Sequence, residues 1–169
     1  MKTVMFMRHA KSDWKQPGMA DHDRPLNARG RRAAPAIACQ LRDSEQSVDV
    51  ILASTAERVR QTVELLQQHW GAQAEVVSSK DLYLATAEQL LRELHTLHDS
   101  WERALVVAHN PGMVSLVSHL AGQNLEMPTA AVAIFECDID SWTTTLTPQL
   151  CRLQAYWKPR DLLPAAERD

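Results

Sequence analysis

The sequence is poor in cysteine and has no excess of positive charge. Its 169 residues include only Cys39, Cys137 and Cys151, with no pair at metal-ligand spacing. A disulfide scaffold and a cysteine zinc site are therefore disfavoured, and we expect reduced, buried thiols. Lysine and arginine total 18 against 21 acidic residues, and the net charge of -3 excludes the broad basic surface of a dedicated nucleic-acid binder. We expect no nucleic-acid partner, and any positively charged site must be local.

Long hydrophobic runs and internal linkers are also missing. The apolar stretch at residues 3–7 meets Arg8 at once and is too short for a signal peptide or a membrane span. We therefore expect a cytoplasmic protein with no membrane partner. No Gly/Ser-rich linker, repeat or low-complexity tract divides the chain, so residues 1–169 are predicted to form a single domain. The prolines and charges near the end predict a loose tail from about residue 160.

Short apolar segments that alternate with amphipathic ones predict an α/β fold. Segments 3–7, 48–53 and 105–108 have the continuous apolar character of buried parallel strands. Segments 131–137 and 153–157, with a polar connection between them, are more typical of a hairpin.

Helices are predicted between these strands. Apolar residues at helical spacing indicate a helix over 57–70, a second after a capping box at Thr86, and a third from Pro111 to Gly122. A helix over 27–41 contains Pro35, which should kink it. The expected architecture is a three-layer α/β/α sandwich with a mixed, mostly parallel central sheet.

The predicted parallel strands end in polar or basic residues. Arg8 and His9 follow the first strand, Ser54 and then Arg58 follow the second, and His109 follows the third. Parallel strands bring their carboxyl ends to one edge of a sheet, where ligands bind. We therefore expect two imidazoles and two guanidiniums to converge at that edge.

The combination of arginine and histidine indicates the kind of ligand. A guanidinium disfavours a nearby metal cation, but it binds an anion that has paired acceptor oxygens. The predicted ligand is a phosphoryl group held by Arg8, Arg58 and one further arginine, with a neutral histidine able to attack phosphorus. Because charge in phosphoryl transfer lies on the equatorial oxygens, fixed donors aimed at them supply most of the catalysis.

Four segments resemble the histidine phosphatase superfamily. Residues 7–12, MRHAKS, are similar to its Arg-His-Gly signature, with Ala10 in place of the usual glycine. Residues 54–62, STAERVRQT, resemble its Ser-Pro-x-x-Arg-Ala-x-Gln-Thr segment, and residues 107–111, VAHNP, resemble its second-histidine segment. The small size and residues 23–27, DRPLN, are most similar to the SixA-type phosphohistidine phosphatases.

The resemblance implies a nucleophile and four groups that bind the phosphoryl oxygens. His9 would attack and become phosphorylated. The oxygen-binding groups would be Arg8, Arg24, Arg58 and His109. No metal ion and no cofactor is implied.

Several nearby residues have simpler interpretations. Arg24 can also be interpreted as a loop arginine that pairs with Asp21 or Asp23. Arg60 lies about 200° round the helix from Arg58 and is predicted to face solvent. Three short polar residues are interpreted as caps or turn residues rather than catalytic groups: Ser12, Ser54 and Asn110.

No residue matches the carboxylic acid with which larger members of the superfamily protonate an alkoxide leaving group. Glu88 follows nearby, but a solvated helix residue is its commoner interpretation. A site without a placed acid should be poor with sugar phosphates, because an alkoxide needs a proton as it leaves. The leaving imidazole of phosphohistidine can already carry that proton, so this absence favours phosphohistidine.

The sequence therefore predicts a metal-independent phosphatase that forms a phosphohistidine intermediate. Its expected partner is a phosphorylated protein, such as a histidine phosphotransfer domain. One alternative is a phosphatase for a small phosphorylated substrate, which would require Glu88 or another carboxylate as the acid. The other is a noncatalytic module that binds phosphate or a phosphoprotein.

Overall fold

The chain, whose computed structural model describes residues 1–168, folds around a six-stranded sheet. The strand order is β3-β2-β4-β1-β5-β6, in which the first four strands are mutually parallel, β5 is antiparallel to β1, and β6 is antiparallel to β5. The predicted mixed, mostly parallel sheet is confirmed. The strands are β1 (Lys2–Arg8), β2 (Val50–Ser54), β3 (Glu75–Ser79), β4 (Arg103–Ala108), β5 (Val132–Cys137) and β6 (Cys151–Trp157).

Helices cover both faces of the sheet. Alternate residues of β1 contribute to two separate cores, since Phe6 packs in one core with Leu90 and Leu116 while Met5 packs in the other. The core around Met5 contains residues of the first two helices in the chain, and the core around Phe6 contains residues of the third and fourth. The predicted three-layer sandwich is therefore confirmed. The helices are α1 (Ala28–Asp43), α2 (Glu57–Trp70), α3 (Ala87–Leu94), α4 (Gly112–Ala121) and α5 (Pro159–Leu162).

The predicted caps set several helix ends. Thr86 and Gln89 form a reciprocal capping box at the start of α3. Gly71 ends α2 with a φ of 77°, in the left-handed region that glycine enters without steric cost. The helix α1 is longer than predicted and runs through Pro35, because Asn27 caps its start and a buried apolar face holds it on the sheet.

Helix α1 approaches the end of β1 closely at Gly30. A Cβ atom at this position would lie 2.2 Å from the carbonyl oxygen of Lys11. The backbone amide of Gly30 also donates to the side-chain oxygen of Asn27, and the backbone amide of Asn27 donates to the Lys11 carbonyl. These contacts fix the segment that follows β1.

The sequence analysis missed one strand and misjudged one thiol. Strand β3 is an edge strand of polar and half-exposed residues, so it lacks the apolar run that identified the buried strands. Strand β2 begins at residue 50 rather than 48, and β6 begins at residue 151 rather than 153. All three cysteines are free, but Cys39 is half-buried rather than buried.

The end of the described chain forms short helices. After α5, residues Ala165–Glu167 form a 3-10 turn, and Leu162 packs against the core that α1 contributes to. A loose tail from about residue 160 stays a prediction, and Asp169, its last residue, lies outside the described residues. Among residues 1–168, no helix combines the length and the apolar character needed to cross a membrane.

Candidate active site

One pocket lies where β1, β2 and β4 end, and it gathers all five predicted site residues. This central pocket has a volume of about 300 Å³. The ring centroids of His9 and His109 are 5.1 Å apart, although 100 residues separate them in the chain. The predicted residues that line the pocket are Arg8, His9, Arg24, Arg58 and His109.

His9 has a fixed and neutral ring. Its Nδ1 donates to the carbonyl of Ala10 at 2.7 Å, and its Nε2 accepts from Nε of Arg58 at 3.3 Å. Burial above all, together with the nearby His109 and the two guanidiniums, lowers the pKa of His9 to about 3. The proton therefore resides on Nδ1, and Nε2 carries a lone pair on the side that faces Arg58.

His109 is held in the opposite tautomer. Its Nδ1 lies 3.3 Å from Nη2 of Arg58, which can only donate, and its Nε2 lies 2.8 Å from the hydroxyl of Ser54. Nδ1 is therefore an acceptor, and Nε2 donates to Ser54. Burial first, and then Arg58, lowers the pKa of His109 to about 3, so this ring is also neutral near pH 7.

Arg58 connects the two rings to a carboxylate. It lies in the first turn of α2, directly after the turn that follows β2, and its side chain is 3% exposed. Besides the two histidines it donates to the carbonyl of Asp21 at 2.7 Å and to Oδ2 of Asp21 at 3.1 Å. Arg60 is exposed and pairs with acidic residues of α2, which confirms its predicted orientation.

Arg24 forms the ion pair that its simpler interpretation predicted, and its role in binding the phosphoryl group stays a prediction. It lines the central pocket, and it also pairs with Asp21, with 2.8 Å between Nη2 and Oδ1. Its Nη1 donates to Ser12 at 2.9 Å, and its guanidinium carbon lies 3.3 Å from the ring centroid of Trp14. Ser12 and Leu26 form an isolated antiparallel β-bridge, which joins the loop that carries Arg24 to the segment after β1.

Arg8 retains unused donor capacity. Its Nη1 donates to the carbonyl of Met127 at 3.2 Å, whereas its buried Nε has no hydrogen-bond partner. Burial and then the charge of Arg58 lower the pKa of Arg8. A buried donor without a partner costs free energy.

Asp21 and Tyr83 are site residues whose importance sequence reasoning missed. The Tyr83 hydroxyl donates to Oδ2 of Asp21 at 2.5 Å. This hydrogen bond, and those from Arg24 and Arg58, hold the pKa of Asp21 well below its usual range, so the carboxyl stays ionised. The only signal in the sequence was the spacing from Asp21 to Arg24, which indicated an ion pair but no contact with Arg58.

The remaining polar candidates differ in their contacts. Asn110 donates to the Met127 carbonyl and accepts from the amide of Val114 in the first turn of α4, as predicted for a capping residue. Ser54 accepts from the amide of Ala56 at 3.3 Å, as predicted for a turn residue, and it also contacts His109, a role that this interpretation did not include. Glu88 is exposed in the first turn of α3 and does not line the central pocket.

Ala10 fits its position without disturbing the site. Its side chain is fully buried in the core formed with α1 and α2, and its amide donates to the Thr62 hydroxyl at 3.1 Å. Thr62 is the last residue of the segment that begins at Ser54, so this hydrogen bond joins two of the segments that the sequence singled out.

The described chain is similar to known proteins along most of its length. Residues 4–83 match the histidine phosphatase superfamily (branch 1). An uncharacterized protein of Mycobacterium tuberculosis is 39% identical over 127 residues, which cover 75% of this chain and 76% of the relative.

Two solved structures share both fold and sequence with the chain. A protein assigned as phosphohistidine phosphatase SixA from Nakamurella multipartitia has a TM-score of 0.80 and 29% identity, covering 94% of this chain and 96% of the other. A protein with the same assignment from Agrobacterium tumefaciens has a TM-score of 0.80 and 28% identity, covering 94% and 98%.

The fold, the sequence match and the structural neighbours together identify the class. The chain belongs to the histidine phosphatase superfamily and is of the SixA type. The protein is therefore a phosphatase, and the alternative of a noncatalytic binding module is wrong.

Proposed function

We propose that this phosphatase removes phosphate from phosphohistidine in a protein, without a metal ion and with His9 as the nucleophile. The observation that carries the proposal is the state of the His9 ring. Its Nδ1 proton is engaged by the Ala10 carbonyl, and its Nε2 lone pair faces the guanidinium of Arg58 in an arginine-lined pocket. A neutral imidazole with a fixed tautomer is what attack on phosphorus requires.

The proposed reaction has two in-line displacements. The Nε2 lone pair of His9 forms a bond to phosphorus while the bond from phosphorus to the substrate imidazole breaks. The substrate ring leaves as neutral imidazole, because the proton that it carried on its other nitrogen balances the electron pair it takes. Water then attacks phosphorus, the bond to His9 breaks, and phosphate leaves with one hydrogen from the water, while the other proton passes to solvent.

The phosphoryl oxygens would be bound by Arg8, Arg24, Arg58 and His109. Arg8 supports this assignment because it lines the central pocket and, within residues 1–168, forms no salt bridge with a carboxylate. Arg24 and Arg58 are held by Asp21, so their guanidiniums need little reorganisation when the substrate binds. Removal of one such donor should cost roughly 3 kcal/mol in the barrier.

The absence of a usable acid supports phosphohistidine over a phosphate ester. Within residues 1–168, Asp21 is the only carboxylate that lines the central pocket. Because hydrogen bonds and two arginines hold it ionised, Asp21 has no proton to give to an alkoxide. The alternative function, hydrolysis of a small phosphate ester, therefore requires an acid that neither Asp21 nor Glu88 supplies.

The rim of the pocket supports a protein substrate. Trp14 is 72% exposed and Leu84 is 52% exposed, and both line the central pocket. Large apolar side chains exposed beside a polar site are typical of protein contact surfaces. The SixA assignment of both structural neighbours points in the same direction, and a histidine phosphotransfer domain is the substrate we propose.

The decisive experiment is to trap and locate a phosphoenzyme. Acid quenching during turnover of a phosphohistidine peptide, followed by mass spectrometry, should place an acid-labile phosphate on His9. His9→Ala should remove both the label and turnover while leaving the circular dichroism spectrum intact, and His119→Ala, at an exposed position of α4, is the matched control. Turnover that persists in His9→Ala would refute the nucleophile assignment.

Two comparisons test the rest of the proposal. The value of kcat/KM should be much higher for the phosphohistidine peptide than for a sugar phosphate, and a reversed preference would favour the small-molecule alternative. Turnover should also persist in the presence of a chelator. Loss of activity with the chelator, restored by a divalent cation, would overturn the metal-independent mechanism.

A further inference from the structure

A second pocket adjoins the central one and is lined by positive charge. This basic pocket has a volume of about 170 Å³ and lies between the start of α1, the segment before β5, and α5 with the residues after it. Five cationic side chains line it against a single carboxylate, Glu126. The cations are Lys11, Arg29, Lys158, Arg160 and Arg168.

The protein itself does not neutralise these cations. Within residues 1–168, none of the five forms a salt bridge, although the chain as a whole carries a net charge of -3. Lys158 lies over the ring of Tyr156, and Arg168 donates to the carbonyl of Leu163. Like charges gathered in this way repel one another, and a bound anion would relieve that repulsion.

The basic pocket and the central pocket share part of their lining. Lys11 and Thr129 line both, and Lys11 is two residues beyond His9. An anion in the basic pocket would therefore lie beside a phosphoryl group at His9, close enough for both to belong to one ligand.

We propose that the basic pocket binds acidic side chains that flank the phosphohistidine of the protein substrate. This inference rests on the proposed function. The pocket is small and offers guanidinium and ammonium donors, which suits one or two carboxylates rather than an aromatic or apolar group. The positive charge of the basic pocket also complements an acidic surface on the partner. Complementary charges of this kind raise association rates and fix the register of binding.

The test compares two phosphohistidine peptides that differ only in their flanking residues, aspartate and glutamate in one and serine and glutamine in the other. Arg29 and Arg160 are both exposed and form no salt bridge with any of residues 1–168, so the double variant Arg29→Gln/Arg160→Gln should fold normally. We expect its KM for the acidic peptide to rise about tenfold with kcat unchanged, since two ion pairs with the peptide would be lost. Its kinetics on the neutral peptide should not change.

The controls separate the possible outcomes. Arg92→Gln removes one positive charge by the same type of substitution from an exposed position of α3, on the other face of the sheet, and should leave the kinetics on both peptides unchanged. Raising the salt concentration should reduce the preference of the wild type for the acidic peptide. An equal effect of the double variant on both peptides, or no effect on either, would overturn the inference while leaving the proposed function standing.

Two further outcomes would point elsewhere. If the double variant lost activity only toward a small bisphosphate, the second anion would be a phosphate of a small molecule and the docking proposal would be wrong. If the wild type hydrolysed neither peptide, the proposed function would fail, and this inference would fail with it.

Discussion

The carboxylate of Asp21 accepts a hydrogen bond of 3.1 Å from Arg58 inside the pocket proposed to bind the phosphoryl group. Its other oxygen accepts from Arg24 at 2.8 Å. The protein thus supplies its own anion to two of the arginines that would hold the substrate. This carboxylate orients both guanidiniums, but its charge also opposes the entry of a second anion.

Replacing Asp21 by asparagine should tighten the binding of inorganic phosphate. The substitution removes a negative charge beside the phosphoryl position while keeping an oxygen that can accept a hydrogen bond from an arginine. We expect the inhibition constant for phosphate to fall about five- to tenfold, which corresponds to roughly 1 kcal/mol for one charge at partial exposure. Product inhibition measured during peptide turnover reports this constant directly.

The neighbouring Asp23 provides the matched control for this substitution. Its carboxylate contacts His22 and neither arginine, so Asp23→Asn should leave phosphate inhibition unchanged. Weaker phosphate binding in Asp21→Asn would mean that orientation of the arginines outweighs repulsion, and the prediction would be wrong.

The two buried histidines should make the protein less stable in acid. In the folded protein the pKa of His9 and that of His109 are lowered to about 3, from the ordinary value of 6.5. Below pH 6.5 the unfolded chain therefore binds protons that the folded protein excludes, so the free energy of unfolding falls as the pH drops toward 3. Each ring contributes a slope of up to about 1.4 kcal/mol per pH unit.

Urea unfolding at a series of pH values tests this slope. His9→Gln removes one of the two titrating rings and should reduce the pH dependence relative to wild type, while His119→Gln is the matched exposed control. An unchanged slope in His9→Gln would show that the ring of His9 already takes up its proton at an ordinary pKa in the folded protein.

The fold could be predicted where burial left a pattern in the sequence. Strands β1, β2 and β4 are buried along nearly their whole length, and each appeared as an apolar run. Strand β3 is held by its pairing with β2 at the edge of the sheet, and its exposed residues carry no comparable pattern. Edge strands are specified by their neighbours rather than by their own composition.

The site was predictable to the extent that topology determines it. His9 and His109 converge because they follow parallel strands that are adjacent in the sheet. Asp21 was missed as a partner of Arg58 because their contact joins a 3-10 turn to a helix, and no periodicity relates such elements. The contact between Asp21 and Tyr83 spans 62 residues and was invisible for the same reason.

The close approach of α1 to the active-site segment makes Gly30 critical. In Gly30→Ala the new Cβ would meet the Lys11 carbonyl oxygen at 2.2 Å, and the obstacle is backbone that cannot rotate away. We expect a loss of about 3 kcal/mol in unfolding free energy, at the upper end of typical overpacking costs. Displacement of the segment next to His9 should also lower kcat, by up to about a hundredfold.

Gly71→Ala is the control for this prediction. Its Cβ would meet nothing within 4 Å, and its φ of +77° costs about 1–2 kcal/mol for a residue with a side chain. Gly71 ends α2 away from the central pocket, so its substitution should lower stability without changing kcat. Equal kcat values in the two variants would contradict the positioning role of the Gly30 contact.

Binding of an oxyanion should be coupled to the uptake of a proton by His109. In the free protein Nδ1 of His109 accepts from Arg58, so it cannot donate to a phosphoryl oxygen until it is protonated, and Nε2 is already committed to Ser54. A bound dianion offsets the positive charge that helps to lower the pKa of this ring. Sulfate carries no proton at neutral pH, so a proton taken up when it binds must come from solvent to the protein.

Calorimetry of sulfate binding in buffers with different ionisation enthalpies measures this uptake. The wild type should take up a fraction of a proton per sulfate, and this fraction should grow as the pH falls, since one imidazole changes state. His109→Gln should bind sulfate more weakly and without proton uptake, whereas His119→Gln should behave as wild type. Sulfate binding to the wild type without proton uptake would mean that His109 stays neutral, and that the arginines alone hold the oxyanion.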